Sequence, residues 1–135
     1  MTGQAMHPVD AAWYQMDGAV NRAVVTGILL TRKPLDFARV RALYAARLVG
    51  YERFRQRVVR GPLPLARPHW EDMPGFDIDQ HLHHIALPEP RNRAALTALI
   101  DDIASTPLDP AQPLWRVHVV DGVDGGGALI MQVHH

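Results

Sequence analysis

Two apolar runs near the end of the chain decide the predicted fold: Arg116-Val117-His118-Val119-Val120 and Ala128-Leu129-Ile130-Met131-Gln132-Val133-His134. Both are rich in β-branched and aliphatic residues, a composition that favours β-strands. The connection between them, Asp121-Gly122-Val123-Asp124-Gly125-Gly126-Gly127, is rich in glycine and suits a hairpin. The sequence therefore predicts a β-hairpin whose second strand delivers the adjacent histidines His134 and His135 to its end.

The rest of the chain alternates between strand and helix signals. Apolar or alternating patterns predict strands over residues 24–30, 54–60 and 78–87. Apolar residues at helical spacing predict helices over 37–49 and 93–105, with Asp36 and Asn92 as N-caps. This order predicts a mixed α/β fold of the α+β kind, a mixed sheet with two helices packed on it, as one unit over residues 1–135.

Two segments outside these elements also carry a prediction. Residues 61–68 hold three prolines and one glycine, so we predict a loop or an edge connection there. Residues 8–17 predict a short helix or an ordered turn that places Trp13 and Met16 on one side.

Charge and composition exclude several classes of function. Lys+Arg and Asp+Glu both number 14, so the chain lacks the basic surplus of a nucleic-acid-binding protein. Cysteine is absent, which excludes thiol nucleophiles, disulfides and thiolate metal sites. The start of the chain has no basic and apolar leader, and no apolar run approaches the roughly 18 residues of a membrane span. We therefore expect a cytoplasmic protein, with contact to membranes limited to their surface.

The terminal histidines are the residues with the clearest chemical potential. If the strand continues to the end, alternation places His134 on the face of Ala128, Ile130 and Gln132, and His135 on the opposite face. A neutral imidazole is a natural general base for an alcohol or amine nucleophile. From spacing alone an incidental pair of histidines is the alternative.

Other polar clusters have more ordinary interpretations. His81 and His83 are predicted to share a face that His118 could join, with His84 on the other face, but zinc needs three or four converging ligands and no HExxH spacing is present. We expect sheet histidines there and no metal site. The basic stretch could face CoA phosphates or lipid headgroups, or form a solvated face with local salt bridges. Its members are Arg53, Arg55, Arg57, Arg60 and Arg67.

Several short motifs occur in an order and spacing typical of one enzyme family. They are Pro8-Val9-Asp10-Ala11, Phe54-Arg55-Gln56-Arg57-Val58, Arg67-Pro68-His69-Trp70, Phe76-Asp77-Ile78-Asp79-Gln80-His81-Leu82, Pro107-Leu108-Asp109, Pro113-Leu114-Trp115, the Asp121-Gly122 turn and Val133-His134-His135. Together they resemble the bacterial wax ester synthase/diacylglycerol acyltransferase family over about residues 8–135. That family carries an HHxxxDG motif, of which this chain contains the two histidines.

The resemblance implies a fold, a reaction and a role for each histidine. The fold is that of the CoA-dependent, chloramphenicol acetyltransferase-like acyltransferases, with residues 1–135 as an incomplete N-terminal domain ending within the motif. His135 corresponds to the general base that takes the proton from the hydroxyl of a diacylglycerol or a long-chain alcohol, and His134 to a supporting residue. Acyl-CoA is the implied co-substrate, and no cofactor is implied. For Pro113-Leu114-Trp115 we expect a packing anchor with a satisfied indole N–H.

Two alternatives stay open beside the acyltransferase. One is a catalytically inactive remnant that binds lipid or a partner chain. The other is a condensation-domain-like enzyme, although the Pro-Leu-Trp spacing and the Asp-Ile-Asp-Gln-His segment favour the lipid branch. Further expectations are peripheral contact with membranes or lipid droplets, and self-association through an uncovered apolar sheet surface.

Overall fold

The computed structural model describes residues 3–11, 24–60 and 67–134. Its strands are β1 (Gln4–Ala5), β2 (Val24–Thr31), β3 (Gln56–Val59), β4 (His69–Asp72), β5 (Leu82–Ala86), β6 (Trp115–Val123) and β7 (Gly126–His134). Its longer helices are α1 (Phe37–Leu43), continued by a π-helical turn over Tyr44–Leu48, and α2 (Arg93–Ser105). Two 3₁₀ turns cover Glu52–Arg55 and Ile78–Gln80.

The strands form two sheets, and the larger one carries the predicted hairpin. Its order is β2-β7-β6-β5, with β5 and β6 parallel and the other pairs antiparallel. The parallel pair is joined through α2, as a crossover connection requires. A smaller antiparallel sheet has the order β1-β4-β3. The mixed α/β architecture predicted from the element order is confirmed.

The hairpin has longer strands and a tighter turn than the sequence predicted. Asp124 and Gly125 both have positive φ, 48° and 82°, which matches the Asp-Gly type I′ turn that fits the twist of paired strands. Strand pairing therefore reaches Val123 and Gly126, and a register shift between Asp121 and Val123 accommodates Gly122 at φ 87°. The prediction of a turn at Asp121-Gly122 is wrong, because both residues lie within β6 and the chain turns at Asp124-Gly125.

Each face of the larger sheet is covered by a different helix. We call them the α2 face and the α1 face. On the α2 face, Leu96 and Ile103 of the helix join Val120, Ala128 and Ile130 of the sheet in one cluster. On the α1 face, Leu82, Trp115 and Val117 are buried against apolar residues that include Phe37, Tyr44 and Leu48. Burial on both faces explains why β6 and β7 are nearly continuous apolar runs.

The helix predictions are confirmed at their starts. The Asn92 side chain accepts a hydrogen bond from the Ala95 N–H at 3.0 Å, and α2 has the predicted bounds. The Asp36 side chain accepts from the Arg39 N–H at 3.3 Å at the start of α1. The predicted helix over 37–49 changes at Tyr44, where the Val49 N–H donates to the Tyr44 carbonyl five residues back.

Two strand predictions need correction, and two strands were not predicted. The predicted strand over 78–87 is shortened because the Asp77 side chain accepts from the Asp79 N–H at 3.0 Å and starts a 3₁₀ turn. The predicted strand over 54–60 begins only at Gln56, after another 3₁₀ turn. β1 and β4 were missed because each is short and pairs only in the small sheet. Of the predicted segment 8–17, residues 8–11 are helical, while Trp13 and Met16 lie outside the described residues. Of the predicted loop 61–68, residues 67–68 precede β4, while 61–66 lie outside the described residues.

A substitution of Gly126 tests how tightly the hairpin packs against β2. A Cβ at this position would lie 2.1 Å from the Thr31 carbonyl oxygen, a backbone atom that cannot turn aside. We expect Gly126→Ala to lower the free energy of unfolding by about 2 kcal/mol through overpacking. Urea denaturation measures the change. Gly27→Ala is the matched control, because its Cβ would meet nothing closer than 4.0 Å; equal effects in both variants would contradict the packing.

A substitution in the edge strand β2 tests the expected self-association. Val25, Ile28 and Leu29 are 53%, 49% and 57% exposed, and β2 pairs on one side only among the described residues. An apolar edge without charge or proline favours strand-to-strand association. We expect oligomers of the purified chain by size-exclusion chromatography with light scattering, and monomers of Leu29→Lys. The control Leu43→Lys changes an exposed leucine of α1. A monomeric parent chain would contradict this expectation.

Candidate active site

Trp115 anchors the end of the sheet where the histidines lie. Its side chain is 2% exposed, and its indole N–H donates to the Phe54 carbonyl at 2.8 Å. The indole stacks on His81 at a centroid distance of 4.7 Å and on Tyr44 at 6.2 Å, while Phe54 meets it edge-on at 6.1 Å. The predicted packing anchor with a satisfied indole is confirmed.

The anchor fixes the position of His134. Trp115 pairs with Val133 across the hairpin, and the His134 N–H donates to the Leu114 carbonyl at 3.0 Å. On the other side His134 pairs with Val24 of β2. The strand alternation puts His134 on the α2 face with Gln132, as predicted. His135 lies outside the described residues, so its place on the opposite face stays a prediction.

A cavity of about 250 Å³ opens at this end of the sheet. Its lining combines an apolar majority with three polar side chains, the composition usual for sites that bind small amphiphilic molecules. It is lined by Met6, Asp10, Arg53, Phe54, Trp70, Leu114, Trp115, Val133 and His134. Sequence patterns gave no sign of Met6 as a site residue, because it reaches the cavity from an element remote in sequence. Asp10 belongs to one of the short motifs and Arg53 to the basic stretch that could face CoA phosphates or lipid headgroups, and the structure places both at the cavity.

Two arginines of the basic stretch, Arg57 and Arg53, have different neighbours. Arg57 forms a salt bridge with Glu71 across β3 and β4 at 3.2 Å, as expected for a face with local ion pairs. Arg53 has no carboxylate partner among the described residues, and its guanidinium lies 4.5 Å from the centroid of the Trp70 ring. Arg53 therefore brings positive charge to the cavity wall.

The prediction that His81 and His83 share one face of a strand is wrong. His81 precedes β5, and its φ of −112° and ψ of −21° break the extended alternation. Its ring packs on Trp115, and its Nδ1 lies 2.8 Å from the Trp115 carbonyl, to which it donates. His83 instead faces His118 on the α2 face, in register across β5 and β6, with ring centroids 4.9 Å apart.

His84 lies on the α1 face, away from His83, as predicted. Its Nε2 is 2.5 Å from Asp121 Oδ2, and its ring stacks on Phe37 at 4.8 Å. Within residues 3–11, 24–60 and 67–134, no three His, Cys, Asp or Glu side chains are grouped suitably for a metal ion.

Arg116 joins α2 to the hairpin and sets the charge around the histidine pair. Its guanidinium donates to the carbonyls of Ile103, at 2.6 Å, and Thr106 at the end of α2, and to the Gln132 side chain. Burial, then His83 and Arg116, lower the pKa of His118 to about 4. Burial, then Arg116 and His81, also lower the pKa of His83. Both imidazoles are therefore neutral at pH 7.

The lowered pKa of His118 predicts a loss of stability in acid. Between pH 6.5 and about 4, His118 binds a proton in the unfolded chain but not in the folded chain. Proton binding therefore stabilises the unfolded state relative to the folded state. Stability is full above pH 6.5 and falls towards pH 4, by about 2 kcal/mol after allowance for partial exposure. Urea unfolding from pH 7 to about pH 4.5 should show less pH dependence in His118→Asn. The control is His69→Asn; equal pH dependence in all three proteins would contradict the effect.

Comparison with known proteins places the chain in a family. Residues 6–135 match the model of the wax ester synthase/diacylglycerol acyltransferase catalytic domain. The chain is 36% identical over 118 residues to the probable diacylglycerol O-acyltransferase tgs3 of Mycobacterium tuberculosis, with 85% of this chain and 44% of that protein covered. The probable diacylglycerol O-acyltransferase tgs1 of the same organism is 41% identical over 92 residues, with 67% of this chain and 20% of tgs1 covered.

Solved structures agree on the fold. The wax ester synthase/diacylglycerol acyltransferase from Marinobacter aquaeolei VT8 superposes with a TM-score of 0.80 at 23% identity, over 98% of this chain and 33% of that one. The first condensation domain of the calcium-dependent antibiotic synthetase gives 0.78 at 20% identity, over 100% and 33%. The described residues include no helix long and apolar enough to cross a membrane. Although it spans less than half of these relatives, the chain belongs to the wax ester synthase/diacylglycerol acyltransferase family.

Proposed function

We propose that this chain carries the base of an O-acyltransferase, which transfers a fatty acyl group from acyl-CoA to diacylglycerol or a long-chain alcohol. Residues 1–135 are then part of an N-terminal acyltransferase domain. The observation that carries the proposal is the end of β7: the family match includes His134 and His135, and His134 lines a mostly apolar cavity. The acyltransferase family supplies the reaction class, and the cavity supplies a surface for apolar substrates.

In the proposed reaction His135 is the general base. Its neutral imidazole takes the proton from the acceptor hydroxyl as that oxygen attacks the thioester carbonyl carbon. The tetrahedral intermediate collapses, the carbon–sulfur bond breaks, and the imidazolium returns the proton to the CoA sulfur. The products are an ester and CoA, and no cofactor takes part.

His134 has a supporting role in this proposal. The hydrogen bond from its backbone N–H to the Leu114 carbonyl holds the backbone just before His135 against the residue that precedes β6. The Trp115–Phe54 hydrogen bond fixes Leu114 in turn, because it ties the next residue to a separate element. A base held by packed strands keeps the geometry that proton transfer needs.

The surroundings of the protein are also part of the proposal. Long-chain alcohols and diacylglycerols partition into lipid, so we propose a cytoplasmic protein that contacts membrane or lipid-droplet surfaces peripherally. The exposed apolar residues of β2 are compatible with such contact as well as with self-association. A catalytically inactive remnant that binds lipid or a partner chain is the alternative that these exposed residues support.

An acyl-transfer assay separates the two functions. Purified chain is incubated with labelled palmitoyl-CoA and either diacylglycerol or hexadecanol, and ester product is quantified. Catalysis by this chain predicts product from the parent and a decrease of at least about 100-fold in His135→Ala, the usual contribution of a general base, whereas an inactive remnant gives no product.

The matched control is His69→Ala, since His69 is an exposed histidine on β4 outside the cavity. Its activity should equal that of the parent chain. Folded parent protein without product would contradict catalysis by this chain and favour the inactive remnant. Equal product from parent and His135→Ala would contradict the base assignment alone.

A further inference from the structure

Arg53 is held in place at the cavity wall by two glutamine amides and an aromatic ring. Its Nη1 donates to Gln56 Oε1 at 2.7 Å and its Nη2 to Gln4 Oε1 at 3.4 Å. Gln56 is 1% exposed, and its Nε2 donates to Asp72 Oδ1 at 3.3 Å. With the Trp70 ring against its guanidinium, Arg53 is oriented by side chains from three strands.

None of the described groups in direct contact with the Arg53 guanidinium carries a negative charge. Its two hydrogen-bond acceptors are amide oxygens, and no described carboxylate lies within 4.0 Å of its guanidinium. Asp10 lines the same cavity without forming an ion pair to Arg53. A guanidinium has five N–H donors, and the two glutamines occupy two of them. Arg53 can therefore donate to an anionic or carbonyl oxygen inside the cavity.

The remaining walls suit a hydrocarbon. Met6, Phe54, Leu114 and Val133 contribute apolar side chains, and Trp115 contributes its indole. A volume near 250 Å³ accommodates about eight methylene groups if each occupies roughly the space of a water molecule, so the far end of a twelve-carbon chain extends out of the cavity opening. An apolar cavity with one oriented cation is complementary to an amphiphile whose polar end is a carboxyl or thioester group.

We propose that this cavity binds the fatty acyl chain of the donor, with the oxygen at its carboxyl end accepting hydrogen bonds from Arg53. The acyl chain lies along Phe54, Leu114 and Val133, and His134 borders the same cavity. The inference rests on the proposed acyl transfer for its choice of a fatty acyl ligand. It makes Arg53 a binding residue that distinguishes an acyl group from an alcohol.

Calorimetric titration tests the assignment without turnover. The purified chain is titrated separately with dodecanoate, dodecanol and CoA. We expect dodecanoate to bind, and Arg53→Gln to weaken it about tenfold, as loss of a charge-assisted hydrogen bond does, while dodecanol binding is unchanged. Val133→Phe, which fills the cavity, should weaken both ligands at least about tenfold. Arg47→Gln, an exposed arginine outside the cavity, should match the parent chain.

Each other outcome overturns the proposal. Dodecanoate binding that is absent, or equal in the parent chain and Arg53→Gln, removes the role of Arg53. If Val133→Phe leaves dodecanoate binding intact, the acyl chain binds outside this cavity. If only CoA binds and its binding depends on Arg53, the guanidinium recognises phosphate instead of the acyl group. Circular dichroism and thermal unfolding verify that each variant is folded. Intact dodecanoate binding without acyl transfer would refute the proposed catalysis and leave this site standing.

Discussion

The hydrogen bond between the Trp115 indole and the Phe54 carbonyl is the contact on which the cavity and the end of the sheet depend. It ties the first residue of β6 to the turn before β3, so the larger sheet and the smaller one share a fixed junction. The indole also fills the space between His81, Tyr44 and Phe54. Because Trp115 pairs with Val133, this junction also holds the last described residues of β7 in place.

The α2 face shows how a single sheet can combine stability with chemistry. Under α2 the face is apolar, with Val120, Ala128 and Ile130 fully buried. Towards the end of β7 it becomes polar, and Arg116 satisfies the carbonyls at the end of α2 while holding Gln132. A cation at a helix C-terminus is favourable, so this placement stabilises α2 as well as the hairpin. His83 and His118 beside it stay neutral because burial, and after it the neighbouring positive charge, lowers the pKa of each imidazole.

Sequence patterns were sufficient where local signals and tertiary packing agree. Asn92 caps α2 with its side chain as predicted, and the glycine-rich link forms the predicted hairpin, although its turn lies at Asp124-Gly125 and not at Asp121-Gly122. The His81 prediction failed because the Asp77 cap imposes a 3₁₀ turn that ends the alternation one residue before the strand. Short strands such as β4 depend on partners remote in sequence, so period-2 patterns could not reveal them. Arg53 was one of five arginines that could face CoA phosphates or lipid headgroups, but the sequence could not single it out, because its neighbours come from three strands.

Catalysis by His135 and binding of an acyl chain beside His134 make one joint claim about the geometry of this site. A crystal structure of the chain with a non-hydrolysable ketone analogue of dodecanoyl-CoA, in which a methylene group separates the sulfur from the carbonyl carbon, examines it most directly. We expect the aliphatic chain between Phe54, Leu114 and Val133, Arg53 donating to its carbonyl oxygen, and the His135 imidazole facing the carbonyl carbon. An analogue bound outside this cavity, or a His135 side chain directed away from the carbonyl carbon, would contradict the claim.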